Sequence, residues 1–109
     1  MSKLAKVEKC VQKGKEEELI RLSQDKEKKV RVAAIAGLGQ VGKGDAYNHL
    51  VTMMEDEDPE IRIACIKALG VMKDAAADTP LRHQMSKETD EEVKAAIRDT
   101  LAILPREKY

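Results

Sequence analysis

Apolar residues recur along this chain at helical spacing and give way to polar residues at regular breaks. The clearest segment, residues 29–39, reads KVRVAAIAGLG, and a second segment, residues 60–70, reads EIRIACIKALG. The two are offset by 31 positions. The match extends upstream, because three residues before the first segment recur at the same offset, Leu19, Leu22 and Asp25 as Leu50, Met53 and Asp56. The pattern therefore predicts a repeating unit made of two helices.

The breaks divide the chain into a single all-α domain, 1–109, of about three helix pairs plus an N-terminal half-repeat helix. We predict a capping helix at 1–14, repeats at 15–44, 45–77 and 78–104, and a tail at 105–109. Asp58 and Pro59 supply an N-cap and a first-turn proline. Thr89 and Glu92 have the spacing of a capping box and are predicted to begin the last helix. One extra residue precedes that helix.

The composition makes some classes of binding partner less favoured but does not identify a function. Hydrophobic residues make up 42% of the chain and aromatic residues 2%, with no Phe or Trp, so the core is expected to consist of small aliphatic side chains. Twenty Lys and Arg residues balance twenty Asp and Glu residues, which makes nucleic-acid binding an unfavoured function. We expect no membrane association, and the two dissimilar cysteines favour a cytoplasmic location.

The second segment and its flanks resemble a HEAT-repeat protein of the short phycobilin-lyase type, whose consensus reads D-x-x-P-x-V-R-x-A-A-x-x-A-L-G. The matching residues are Asp56, Pro59, Ile61, Arg62, Ala64, Leu69 and Gly70. The resemblance implies a right-handed superhelix of stacked helix pairs. It also implies a polar ladder between repeats, formed by Asp25, Arg31, Asp56 and Arg62. Lys87 and Lys94 stand at the ladder positions of repeat three, so we expect the ladder to end before that unit.

Solenoid curvature is expected to place the second helix of each pair on the concave side, where partners commonly bind. Three columns of outward positions follow from the repeat alignment. The candidate partner-binding residues are Val32, Ile63 and Ala95 in the first column, Ala36, Lys67 and Asp99 in the second, and Gln40 and Val71, followed by Ile103, in the third. Residues of the first column are either exposed for a ligand or partly covered by neighbouring helices.

Residue types that carry chemistry are few, and we predict no catalytic, cofactor-binding or metal-binding set. His49 and His83 occupy different columns of the repeat, so they do not form a repeated ligand set. Cys65 stands where Ala34 stands one unit earlier, which favours a small buried side chain over a reactive thiol.

The two ends of the array carry charged residues where the interior carries apolar ones. Arg98 replaces the Ile35 and Ile66 of the preceding units, which predicts a polar cap and an array that is complete at this point. Four lysines on the first helix either form a solvated cap or bind phosphate or an acidic partner: Lys3, Lys6, Lys9 and Lys13. Polar ends favour a monomer and leave a dimer open.

The functional prediction is a noncatalytic scaffold that binds a protein or peptide of unknown identity on its concave face. Resemblance to the phycobilin-lyase type implies an alternative, an accessory subunit of such a lyase. A less favoured alternative is a nucleic-acid-binding protein of HEAT-like architecture.

Overall fold

A computed structural model describes residues 1–106, and all of its regular secondary structure is helical. The elements are α1 (Lys3–Lys13), α2 (Glu16–Leu22), α3 (Lys28–Val41), α4 (Gly44–Met53), α5 (Pro59–Met72), a short 3-10 helix (Ala75–Ala77), α6 (Asp78–Lys87) and α7 (Glu91–Ile103). The predicted all-helical solenoid is confirmed. Of the predicted tail, 105–109, residues 107–109 lie outside the described residues.

Helix ends are set by local residues that the sequence makes recognisable. The Ser2 hydroxyl accepts a hydrogen bond from the Ala5 N–H at 3.1 Å and caps α1. Gly14 ends the same helix with φ of 65°, a left-handed conformation that glycine adopts without steric strain. The Asp58 carboxylate accepts from the Glu60 N–H at 2.9 Å, and Pro59 follows at the first helical position of α5.

The start of α7 differs from the predicted capping box. Asp90 is the N-cap, and its Oδ1 accepts hydrogen bonds from the N–H groups of Glu92 at 2.9 Å and Val93 at 3.1 Å. Thr89 is exposed and lies one residue before the cap. The prediction of Thr89 was wrong because the extra residue before α7 shifts the first helical turn by one position.

The helices form two layers. In the first, the four-helix layer, α1, α3, α5 and α7 lie side by side in chain order, and each packs extensively against the next. On the other side, α2 packs on α3, α4 on α5 and α6 on α7. Each helix pair of the repeat therefore contributes one helix to each layer, as the 31-residue period requires.

Between the layers lies a core made of aliphatic side chains. Its largest fully buried members include Leu19, Ile35, Leu38, Leu50, Ile61, Ile66, Leu69, Leu81 and Ile97. Close helix packing depends on small residues: a Cβ atom at Gly39 would lie 2.9 Å from the Cα of Ala68, closer than real Cβ atoms approach. The small side chains thus allow α3 and α5 to approach closely.

The overall shape is a thin slab, with principal extents of 42, 32 and 17 Å. Two layers of helices whose axes lie about 10 Å apart already occupy about 15 Å between their outermost Cα atoms. The remaining thickness leaves little room for curvature. The exposed side of the four-helix layer is therefore broad and shallow.

Candidate protein-binding face

All eight candidate partner-binding residues lie on the four-helix layer, in α3, α5 and α7. Five are exposed, and they come from the second and third columns: Ala36, Gln40, Lys67, Val71 and Asp99. We call this exposed surface of the four-helix layer the flat face. It presents helix positions spaced by three and four residues, so each helix contributes one stripe.

Exposed apolar side chains stand at the C-terminal ends of α5 and α7. Val71 is 56% exposed and Ile103 is 65% exposed. Ile103 reaches the residue next to Val71, because a Cβ at Gly70 would be 3.4 Å from the Cδ1 of Ile103. The flat face therefore exposes a large aliphatic side chain on each of two neighbouring helices.

The first column is partly covered. Val32, Ile63 and Ala95 are all half-buried, and both Val32 and Ile63 pack against the core. Of the two alternatives left by the sequence, the structure favours partial burial between neighbouring helices. These side chains are therefore less accessible than those of Gln40 and Val71 in the third column.

Polar contacts link neighbouring units at the turns between paired helices. Arg31 Nη1 donates to the carbonyl oxygens of Asp25 at 3.0 Å and Lys26 at 3.1 Å, so its hydrogen bonds stay within its own turn. The Asp25 carboxylate accepts from the Glu27 N–H at 3.0 Å and contacts Lys3 Nζ of α1 at 3.1 Å. Asp25 thereby connects the first helix to repeat one.

The equivalent residues of repeat two are arranged in the same way and extend further. Arg62 Nη1 donates to the carbonyl oxygens of Asp56 at 2.9 Å and Glu57 at 3.0 Å, while the Asp56 carboxylate accepts from the Asp58 N–H at 2.8 Å. Arg62 also reaches the next unit, where its Nε and Nη2 donate to Glu88 at 3.0 and 2.9 Å. The expectation that the ladder ends before repeat three was wrong.

Glu88 is the acidic residue of this contact, and the sequence reading missed it. Its side chain is 2% exposed and also accepts hydrogen bonds from Gln84 Nε2 and from the N–H groups of Thr89 and Asp90. Burial raises the pKa of Glu88, but the hydrogen bonds from Arg62, Asp90 and Gln84 outweigh it and hold the pKa at about 2. The carboxylate is therefore charged at neutral pH.

The extra residue before α7 was the signal that could have identified Glu88. Aligned backwards from Val93 and Ile61, Glu88 falls opposite Asp56, and each carboxylate accepts from the N–H two residues ahead, Asp90 and Asp58. Lys87, which had been aligned there, instead pairs with Glu55 of the preceding unit. Placing the insertion before position 88 rather than after it gives the observed register.

A serine and a histidine meet between α2 and α4, without the access that catalysis requires. Ser23 Oγ lies 2.8 Å from His49 Nε2 and donates to the Ile20 carbonyl oxygen at 2.6 Å. Ser23 is fully buried, so its hydroxyl cannot attack a substrate in this conformation. Burial lowers the pKa of His49, which favours a neutral imidazole. This pair connects the C-terminal end of α2 to α4.

Both cysteines are buried and unpaired with each other. Burial, with a smaller contribution from Asp56, raises the pKa of Cys65 to about 12. Its thiol is therefore protonated at neutral pH and a poor nucleophile. Within residues 1–106, no group of three or more His, Cys, Asp or Glu side chains has a geometry that could hold a metal ion.

The lysines of α1 divide into two sets. Lys3 pairs with Asp25, and Lys6 lies 3.4 Å from Glu18. Lys9 and Lys13 have no ion pair among the described residues and are exposed. Half of the basic charge on this helix is therefore used to hold α1 against α2 and the turn after it.

Within the described residues, no helix combines the length and the apolar character needed to cross a bilayer.

Comparison with known proteins gives the family. No curated protein matches the sequence. The family profile described as HEAT repeats matches residues 16–102, which covers the three helix pairs. The chain belongs to the HEAT-repeat family.

Proposed function

We propose that this protein is a noncatalytic scaffold that binds another protein or a peptide on the flat face. HEAT repeats commonly serve as protein-interaction scaffolds. The observation that carries the proposal is the exposed pair Val71 and Ile103 on neighbouring helices. Large aliphatic side chains exposed together on a repeat surface are typical of a site that a partner covers.

Helix spacing supports the choice of this layer. The odd-numbered helices pack extensively on one another, whereas the even-numbered helices pack mainly on their odd partners. We propose that the flat face forms the concave side of the array, where stacked repeats commonly bind their partners. We propose that Ala36, Gln40, Lys67 and Asp99 surround the apolar pair as the polar rim of the site.

Substitution of Val71 and Ile103 by charged residues tests this function. The immobilised protein would be used to capture binding proteins from a lysate of its source, and each captured protein would be purified and titrated directly. Val71→Glu with Ile103→Glu is expected to weaken binding at least tenfold, because the charges would be buried against the partner. Gln24→Glu with Ser86→Glu adds the same charge at exposed sites outside the flat face and is the matched control. Equal affinity of the two double variants for every partner would reject the flat face.

The phycobilin-lyase alternative and the nucleic-acid alternative are separable from this proposal by direct binding. An accessory lyase subunit must bind a bilin or its acceptor protein, which absorbance titration with free bilin detects. A nucleic-acid-binding protein must shift DNA or RNA in a gel in a salt-sensitive manner.

We propose that the protein is located in the cytoplasm. The buried thiols Cys10 and Cys65 are compatible with this reducing compartment.

A further inference from the structure

Charges on the flat face are distributed unevenly between its two halves. The half formed by α1 and α3, with the turn after α3, exposes four lysines that have no ion pair among residues 1–106: Lys9, Lys13, Lys29 and Lys43. One acidic residue of this half, Glu8, is also exposed. The half formed by α5 and α7, with the turn after α5, exposes five acidic residues, Glu60, Asp74, Glu91, Glu92 and Asp99. It also exposes three basic residues, Lys67, Lys73 and Arg98. The first half therefore carries a net positive charge and the second a smaller net negative charge, although the chain as a whole is neutral.

Residues of opposite charge occupy equivalent positions in repeats one and two. Lys29 and Glu60 occupy equivalent positions at the start of α3 and α5, and Lys43 and Asp74 occupy equivalent positions after the same two helices. Lys43 and Asp74 border the same surface depression beside Tyr47. Glu60 contacts Lys28 at 3.0 Å within the chain, but its side chain remains 70% exposed and open to a second contact.

We infer that the flat face pairs with the flat face of a second copy of this chain. The dimer has a two-fold axis that lies in the interface, parallel to the helices, between α3 and α5. Rotation about this axis places α3 of one copy over α5 of the other. Lys29 then faces Glu60 of the second copy, and Lys43 faces Asp74, and symmetry repeats both pairs.

Charge also selects this axis over its alternative. A two-fold axis perpendicular to the helices would place α3 over α3 and α1 over α1, which brings lysines onto lysines. The chosen axis instead places α1 over α7, so the basic Lys9 approaches the acidic Asp99, one helical turn away along the helix direction. Lys67, a basic residue of the second half, faces the uncharged Ala36 of the second copy.

The size of the face predicts a weak association. Four helices about 20 Å long and spaced about 9 to 10 Å apart give a face of about 600 Å² per copy. The dimer would bury about 1,200 Å² in total, at the lower limit of specific interfaces, so we expect a dissociation constant on the order of 100 µM. This inference departs from the monomer that the polar ends favour, because the contact uses the flat face and leaves the ends uncovered.

Complementary charge exchange tests the arrangement. The acidic variant is Lys29→Glu with Lys43→Glu, and the basic variant is Glu60→Lys with Asp74→Lys. Sedimentation equilibrium on the full chain at low salt would show a wild-type dimer, a dimer at least tenfold weaker in each variant alone, and recovery in their equimolar mixture. Lys15→Glu with Lys26→Glu makes the same change of net charge at exposed sites outside the flat face and should dimerise like the wild type.

The chain that carries all four substitutions is a second test, since its pairs are inverted but still complementary, and it should dimerise again. Thermal unfolding of each variant establishes that it is folded. A wild type that stays monomeric to about 1 mM overturns the inference. A dimer that resists both charge variants, as an end-to-end contact would, also overturns it, and so does a mixture that fails to recover. Binding of another protein to Val71 and Ile103 would survive each of these outcomes, so the proposed function can stand without the dimer.

Discussion

Arg62 and Glu88 form a two-pronged ion pair across the boundary between repeats two and three, with Nε–Oε1 and Nη2–Oε2 distances of 3.0 and 2.9 Å. Both side chains are largely buried, at 14% and 2% exposure. Because Glu88 also satisfies two backbone N–H groups, its loss would leave several donors without an acceptor.

We expect Glu88→Gln to lower the free energy of unfolding at pH 7 by about 2 to 4 kcal/mol, because Arg62 would lose its charged partner. Urea denaturation followed by circular dichroism measures this change. Glu91→Gln is the matched control, because Glu91 is 82% exposed and, within residues 1–106, pairs only with Lys94 in the same helix. Its effect should stay below about 0.5 kcal/mol. Similar losses in the two variants would contradict the role of Glu88.

The same carboxylate predicts a specific acid sensitivity. Its pKa in the folded protein, about 2, lies below the ordinary value of 4.5. The stabilisation is therefore complete above pH 4.5 and is lost as the pH falls towards 2. The stability difference between the wild type and Glu88→Gln should narrow across this interval and remain constant between pH 6 and 8. A difference independent of pH from 6 down to 2 would be incompatible with this pKa.

Capping of α7 by Asp90 can be tested against the residue that the sequence favoured. Asp90→Ala removes the acceptor for the Glu92 and Val93 N–H groups and should cost about 1 kcal/mol. Thr89→Ala should change the free energy of unfolding by less than about 0.3 kcal/mol, because Thr89 is exposed and outside the cap. Urea denaturation of both variants measures the two free energies of unfolding. A larger loss of stability from Thr89→Ala than from Asp90→Ala would favour Thr89 as the cap.

Close approach of α3 and α5 makes Gly39 sensitive to a single methyl group. Gly39→Ala should destabilise the protein by about 1 to 3 kcal/mol, despite the better helix propensity of alanine, because the new Cβ meets the Ala68 backbone. Gly44→Ala is the control, since a Cβ there meets nothing within 4 Å. It should be neutral or slightly stabilising. Thermal melts of the pair measure the contrast, and equal melting temperatures would show that the helices separate without cost.

Cys65 should react with alkylating reagents only when the protein unfolds. Burial keeps its pKa at about 12, so little thiolate exists at pH 8. In a Cys10→Ala background, the labelling rate with iodoacetamide should rise by more than a hundredfold in denaturing urea. Mass spectrometry of timed samples measures it. Rapid labelling under native conditions would show that the core around α5 opens readily.

Most of the fold could be predicted from the repeat period. A 31-residue offset between two well-matched segments was sufficient to predict the helix pairs, because stacked units bury equivalent positions, such as Leu38 and Leu69. The caps at Ser2 and Asp58 were also readable, since a short polar side chain immediately precedes each helix. Both predictions depend on local spacing, which a sequence displays directly.

The contacts that repeat three makes could not be predicted from the sequence in the same way. A one-residue insertion has several placements that a single sequence cannot separate, and the choice among them moved both the cap of α7 and the partner of Arg62. The exposure of the first column was also undetermined, because Val32 and Ile63 differ from Val71 only in their angle to a neighbouring helix. Those angles follow from the packing of α3, α5 and α7 and not from the period alone.

The unbroken register between repeats one and two has a consequence for how such an array can change its length. An additional 31-residue unit placed between them would meet Gly39 on one side and Ala68 on the other, the surfaces that already fit together. A unit added beyond α7 would meet the exposed Arg98 where the earlier helices present buried isoleucines. Lengthening by internal duplication is therefore compatible with this architecture, whereas extension at the far end first requires a new apolar surface.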